Sequence, residues 1–245
     1  MRQSLSTILL WTSRGAIVLA VLYAFTCGVV LAIMHQSPRR IAPFLKGVPD
    51  YLWPVLPMET MWAFANRGKL APGDLAPDFE LLTLDGSSRV KLSSLRGRPV
   101  VLFFGSYTCP PFRRQMPDMN RLYEPYKDRA HFYFVYVEEA HATDGWQSKT
   151  NKEDGILLAN ARERQDRVAA GTSCVSHLKI PFPMLVDDMD NRVETAYRAW
   201  PTRVYIIDKD GKVAFKTPIG PFGFESKILE PALLKALGPA PKPST

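Results

Sequence analysis

Cys109 is the residue of this chain whose type and setting could do covalent chemistry. It lies in Gly105-Ser-Tyr-Thr-Cys-Pro-Pro-Phe112, after the apolar run Pro99-Val-Val-Leu-Phe-Phe104 and ahead of a stretch of helical character. An apolar run of that length, bounded by Gly and Pro, suits a buried strand. Pro110 and Pro111 suit a first helical turn, where their missing N–H groups are not needed. A thiol at such a turn sits at the positive end of the helix dipole, with free backbone donors pointing at it. Both favour the thiolate, the reactive form. Arg113 and Arg114, one turn further on, add to the effect. The expectation is an activated redox nucleophile.

The other cysteines carry less. Three cysteines in 245 residues are too few for a disulfide scaffold, and no Cys/His spacing suggests a metal site. Cys27 reads as a small buried apolar residue. Phe112 stands where a C-x-x-C motif would place its second cysteine, so an oxidised Cys109 has no resolving partner in its own helix. Cys174 is one candidate for that role and an external thiol, the preferred reading, is the other; an unused structural Cys174 is the plainer alternative.

The elements that must position Cys109 follow from pattern. Ala76 to Gly86 reads as a strand ending in an Asp-Gly turn, with Val90 to Leu92 returning as its hairpin partner. Val100–Phe104 is the strand before the cysteine, and the helix after it runs to about Arg129, with Pro117 inside. His131 to Glu138 is β-branched and aromatic, as a central parallel strand should be. A long connection from Glu139 to Lys179 becomes helical around Ala159 to His177. Met184–Val186 is a short strand and Asp190–Ala199 a helix. Val204–Asp208 and Val213–Lys216 form a second hairpin across Lys209-Asp-Gly-Lys212, and Phe224 to Leu237 closes the chain as a helix. Strands separated by helices imply right-handed crossovers and a mixed sheet with helices on both faces, an α/β fold. Ligands in such sheets bind at the carboxyl ends of strands. Cys109 and the segment Glu138–His141 follow adjacent candidate strands and should meet at one crevice.

Ahead of this domain, expected over residues 70–237, the composition changes. Ala16 to Met34 is nineteen residues without a charge, flanked by Arg14 and by Pro38, Arg39 and Arg40. That is long enough to span a hydrocarbon core and longer than a signal-peptide apolar region of about 7–15 residues. The expectation is a retained single-pass anchor within residues 1–40, with flanking charges too balanced to fix its orientation. Residues 41–69 read as a juxtamembrane linker rich in Pro, Trp and Met, suited to a membrane interface or to folding back on the domain. Prolines 43, 49, 54 and 57 argue against a continuous helix before Met58. Residues 238–245 read as a Pro-rich tail. The net charge of +7 is concentrated at the start: the first forty residues hold four arginines and no acid, leaving 27 bases against 24 acids elsewhere. No clustered basic face is seen, and nucleic-acid binding is not expected.

The order of elements resembles the thioredoxin-like fold, with a reactive cysteine opening the first long helix. Pro117 stands at that fold's kink proline and Pro201 at its cis-proline facing the thiol. Within the fold the motifs resemble the iodothyronine deiodinases: G-S-Y-T-C-P-P-F, V-Y-V-E-E-A-H-A-T-D-G-W (Val135 to Trp146), D-R-V-A-A (Asp166 to Ala170), V-D-D-M (Val186 to Met189), R-V-Y-I-I (Arg203 to Ile207) and G-P-F-G-F (Gly220 to Phe224). The resemblance implies a membrane-anchored enzyme that removes iodine reductively from an aromatic ring. It implies selenocysteine chemistry carried by sulfur, and therefore slower chemistry, at Cys109. It makes Cys109 the nucleophile, Thr108 the adjacent hydroxyl, and Tyr136, Glu139 and His141 the polar group near the thiol and the proton route. An imidazole held by a carboxylate can act as a general acid near neutral pH. Without the family, His141 is a lone loop histidine and Glu139 a surface charge or cap. Tyr107, Phe112, Pro201 and Arg203 are placed around the substrate. The implied partners are a small aromatic, iodinated substrate, a thiol electron donor and the membrane, with a homodimer left open; no bound cofactor is implied. Ala161 stands near a second functional histidine of the family, and Ile219 at an arginine of some members; His177 is a substitute or a plain helix-surface residue.

Two other functions compete. A-P-D-F-E-L (Ala76 to Leu81), L-R-G-R-P-V-V-L-F-F (Leu95 to Phe104) and D-K-D-G-K (Asp208 to Lys212) are common in peroxiredoxin-like and thiol–disulfide enzymes, although peroxiredoxins place a threonine three residues before the cysteine, not one. The third reading is a tethered redox sensor that uses the fold as a scaffold.

Overall fold

The computed structural model describes residues 2–221 and 226–239. Phe222 to Phe224 of the last motif and residues 240–245 of the expected tail lie outside them. The chain divides into two compact units, residues 1–65 and 66–245.

In the first unit, helix α1 (Arg2–Met34) begins well before the apolar run. Its stretch Trp11–Met34, 24 residues containing an 18-residue window with a mean hydropathy of 2.6, is long and apolar enough to cross a membrane. The apolar side chains point outward: Phe25 is 70% and Leu19 69% exposed. A core helix of a globular domain would bury such residues. Two helices then occupy much of the segment expected to be a linker, α2 (Pro38–Gly47) and α3 (Met58–Asn66). Pro38 opens α2 where no N–H is missed, and Pro43 is accommodated inside it. Prolines 49, 54 and 57 fall between the two helices, where the chain makes only a 3₁₀ turn at Asp50–Leu52.

The second unit is a seven-stranded mixed sheet with the strand order β2-β1-β5-β4-β3-β6-β7. Its strands are β1 (Glu80–Thr83), β2 (Arg89–Lys91), β3 (Val100–Gly105), β4 (His131–Tyr136), β5 (Met184–Val186), β6 (Arg203–Ile207) and β7 (Val213–Lys216). The central three, β3, β4 and β5, are parallel. Hairpins β1–β2 and β6–β7 flank them antiparallel, as the two turn signals predict. The all-apolar strand β3 is buried along its whole length, which is what a strand covered on both faces requires.

Four helices complete the unit: α4 (Pro110–Tyr126), α6 (Arg164–Leu178), α7 (Arg192–Tyr197) and α8 (Leu229–Leu237), with a short additional helix, α5 (Lys149–Glu153), inside the long connection. Helix α4 buries Phe112, Met116, Met119 and Leu122, a spacing that turns one face to the sheet. It continues through Pro117 and Pro125. Two glycines let helices approach closely. A Cβ on Gly105 would lie 2.2 Å from the Phe112 ring, and one on Gly171 of α6 would lie 2.9 Å from Met184 Sδ. Phe112 therefore lies in the core, tilted against Phe103 with ring centroids 5.0 Å apart and stacked on Phe134 at 4.7 Å.

Candidate active site

β3 and β4 run side by side in parallel, with Gly105 level with Tyr136. The pairing continues past the strands, Val137 donating its N–H to the Gly105 carbonyl at 3.0 Å. The loops that leave the two strands, 106–109 and 137–141, are thus held edge to edge at the carboxyl end of the sheet. Cys109 is the N-cap residue of α4, and its own N–H bonds the Ser106 carbonyl at 3.1 Å.

Glu139 lies beneath this loop and is buried. Its Oε2 accepts from the Thr108 N–H at 3.0 Å and from the Thr108 hydroxyl, and its Oε1 accepts from the Tyr136 hydroxyl. Tyr136 Oη in turn accepts from the Tyr107 N–H at 3.3 Å. Thr108 Oγ1 accepts from the His141 N–H at 3.1 Å, and Ser106 Oγ from the Ala140 N–H at 3.1 Å. Burial raises the Glu139 carboxyl above its ordinary range, against the downward pull of the Thr108 and Tyr136 hydrogen bonds. The Tyr136 phenol is pushed well above its ordinary value by burial and by the Glu139 charge, so it stays a donor.

His141 is in the same crevice, but its ring is not held by Glu139. The imidazole turns instead to Trp146, whose ring centroid is 4.6 Å away. His141 Nδ1 lies 3.0 Å from the Trp146 carbonyl. A carbonyl only accepts, so Nδ1 carries the proton and Nε2 is the titrating nitrogen. Burial lowers the imidazole's pKa from its ordinary value. Glu139 is linked to the His141 backbone through Thr108, whose hydroxyl donates to the Glu139 carboxylate and accepts from the His141 peptide N–H. The carboxylate–imidazole pair expected from sequence is corrected to this relay.

The thiol itself is corrected in the same way. Cys109 is 1% exposed, and burial pushes it up to about 12, overriding the Phe112 N–H and the charges of Arg113 and Arg114, which act downward. The helix terminus favours the thiolate as expected; desolvation outweighs it. Arg113 is turned away to Asp154, 2.6 Å from its Nη2. Two expected substrate residues also belong to the packing. Phe112 is the core ring described above, and Arg203 is buried with its guanidinium on the carbonyls of Arg198 (2.8 Å) and Asn66 (3.0 Å). Tyr107 is buried beside the site, its ring 5.8 Å from the exposed His177. The Trp200–Pro201 bond is cis. Cys174 is fully buried on α6, and its thiol is raised well above its ordinary value by burial and by the Glu139 charge.

Two residues of this region were not among the expected site residues. Asn151 is fully buried and donates from Nδ2 to the Thr108 carbonyl at 2.8 Å. Arg167, from the D-R-V-A-A string, is buried with Nη1 on the carbonyls of Asp187 (3.2 Å) and Asp188 (2.8 Å). It also lines a narrow cavity with Tyr136, Glu139, Ala161 and Ala170. The string marked Arg167 as notable; nothing marked Asn151.

Sheet order, the helix-capping cysteine and the cis-proline define a thioredoxin-like fold. Solved structures agree in fold: a thiol:disulfide interchange protein from Chlorobium tepidum (TM-score 0.50, 24% identity, covering 69% of this chain and 100% of that one) and a conserved protein from Geobacillus kaustophilus (TM-score 0.51, 20% identity, covering 69% and 83%). The iodothyronine deiodinase family model matches residues 47–236, and the chain belongs to that family. Curated relatives include the type I iodothyronine deiodinase of Xenopus laevis, 33% identical over 74% of this chain and 66% of that protein. The thyroxine 5-deiodinase of Gallus gallus is 37% identical over 62% and 58%. The type II iodothyronine deiodinase of Rattus norvegicus is 35% identical over 52% and 48%. The matches thus span from about half to just under two thirds of these relatives' lengths.

Proposed function

We propose that this chain is a single-pass, membrane-anchored oxidoreductase that removes iodine reductively from an iodothyronine-like aromatic ring. The observation that carries the reading is the Tyr136–Glu139–Thr108–His141 relay packed behind Cys109, in a chain of this family. Cys109 Sγ attacks iodine; the carbon–iodine bond breaks, its electron pair stays on the ring carbon, and that carbon takes a proton. The sulfur is left as a sulfenyl iodide. A first external thiol displaces iodide and forms a mixed disulfide, and a second releases Cys109 as the thiol with an external disulfide. In sum, one aryl iodide and two thiols give the arene, iodide, a proton and a disulfide.

Each group has a matching task. With its ordinary proton loss opposed by burial, the resting thiol stays protonated at neutral pH. Entry of substrate must therefore be accompanied by transfer of the thiol proton, and the base assigned to it is Nε2 of His141, whose ring is held at Nδ1 by the Trp146 carbonyl. The protonated imidazole then supplies the ring carbon. Glu139 and Tyr136 hold Thr108, and through it the peptide before the thiol, in register. Helix α1, with its outward apolar surface, lies in the bilayer, and exposed Tyr51 suits the interface.

The test is iodide release from iodothyronines and smaller iodophenols by the full chain in detergent, with a dithiol as reductant. Release by the wild type and none by Cys109→Ala is expected. Equal silence of both proteins overturns the reading, as does rapid peroxide turnover through a Cys109 sulfenic acid without iodide release.

A further inference from the structure

The stretch Lys149-Thr-Asn-Lys-Glu-Asp154 looks like a solvated surface run, yet Asn151 at its centre is 0% exposed. A primary amide is taken from water at a cost unless both its ends are partnered. Here they are. Nδ2 donates to the Thr108 carbonyl at 2.8 Å, and Oδ1 accepts from Arg113 Nη1 at 2.8 Å. The same Nη1 donates to the Tyr107 carbonyl at 2.8 Å, while Nη2 meets Asp154 Oδ2 at 2.6 Å. The Asn151 backbone is itself held, its carbonyl accepting from the Ile156 N–H at 2.8 Å.

The consequence is a complete set of anchors on the backbone of the two residues before the thiol. The carbonyls of Tyr107 and Thr108 are held by Arg113 of α4 and Asn151 of α5. Their N–H groups are held from the β4 side by Tyr136 and Glu139. The charged groups acting on the thiol are Arg113 and Arg114 from α4 and Glu139 from the loop after β4. Arg113 is the one whose charge is neutralised by a partner, and that partner is Asp154. Only 9% of its side chain is exposed, so water screens it weakly.

We propose that Asn151 is a positioning residue for the Cys109 thiol, holding the Thr108 carbonyl and the Arg113 guanidinium in place, and that Asp154 sets how much positive charge Arg113 offers the sulfur. The proposal rests on Cys109 as the reacting thiol and on no particular substrate. Isosteric changes on the two sides of the clamp then act in opposite directions. Asp154→Asn leaves Arg113 uncompensated and favours the thiolate. Asn151→Asp adds a negative charge beside the guanidinium, opposes the carbonyl of Thr108 and disfavours the thiolate.

The test is alkylation of Cys109 by iodoacetamide at pH 8 in the full chain in detergent, followed by the mass of the Cys109 peptide, which separates it from Cys27 and Cys174. Asp154→Asn is expected to react at least threefold faster than wild type and Asn151→Asp at least threefold slower. In an Arg113→Gln background, Asp154→Asn is expected to change nothing, because the pair acts through that guanidinium. Simple loosening of the loop would instead speed both variants by uncovering the thiol. Acceleration of both, no change in either, or an Asp154→Asn effect that survives Arg113→Gln overturns the proposal. Because no deiodination is measured, its failure is distinguishable from failure of the proposed activity.

Discussion

Glu139 accepts three hydrogen bonds on two oxygens, from the Thr108 N–H, the Thr108 hydroxyl and the Tyr136 hydroxyl. An amide of the same shape has one acceptor oxygen and an NH₂ group, which must face one of those donors. Glu139→Gln should therefore leave a buried polar group unpaired, a cost of about 1–3 kcal/mol. Its expected signature is a lower thermal midpoint together with at least a tenfold loss of iodide release. Thr108→Val should break the link between Glu139 and His141 with a smaller structural change, and the same loss of rate is expected with a smaller change in midpoint. Equal effects of the two variants on rate and midpoint would sink the relay.

Among the elements, the end of β4 is tied to α7 by carboxyl groups. Glu194 is buried, its Oε2 accepting the Glu138 N–H at 3.2 Å, and its own N–H goes to Asp187 Oδ2 at 2.8 Å. Asn191 donates to Glu138 at 2.8 Å. Burial first, then the charges of Glu138 and Asp187, push the Glu194 carboxyl up to about 8. A native value above the unfolded one means the contribution is fully present below about 4.5 and is lost as pH rises through about 8. Stability of the wild type should fall by a few kcal/mol, on the order set by that shift, between pH 5 and pH 9. Glu194→Gln keeps the acceptor for Glu138 and removes the titration. Denaturant unfolding across that pH range should show a flatter profile for the variant; parallel profiles would rule out Glu194 as the source.

The same elements explain what could be read in advance. Strand β3, the cysteine turn and both hairpins follow from local rules: an apolar run, Pro at the first helical turn, Asp-Gly at the bends. Adjacency of β3 and β4 follows from their order, and with it the meeting of Cys109 with residues 138–141. Burial of Cys109 did not follow, because a helix dipole is a property of one element whereas desolvation belongs to everything packed around it. The partner of His141 was misread because Glu139 is near it in sequence but faces another way. Helix α5 was invisible because five mostly polar residues have no apolar period, and Asn151 is buried by partners 38 and 43 positions away.

For the whole molecule, the outward apolar surface of α1 makes a direct prediction. Chain expressed with its first unit should stay in the membrane pellet after alkaline carbonate extraction, and Leu22→Arg at the middle of the span should weaken that retention. A chain released by carbonate would not be integral. The core packing also bears on what the molecule could become. Turning Cys109-Pro-Pro-Phe112 into a dithiol motif is one codon change on paper, yet position 112 is a space shaped by Gly105, Phe103 and Phe134. Phe112→Cys would leave a void of most of a phenyl ring there, at a cost of about 3–5 kcal/mol, and filling it needs a second change at position 105. Neither step is useful before the other. The route from this single-thiol site to a self-resolving one therefore crosses a stability valley, and the barrier is one of volume rather than of chemistry.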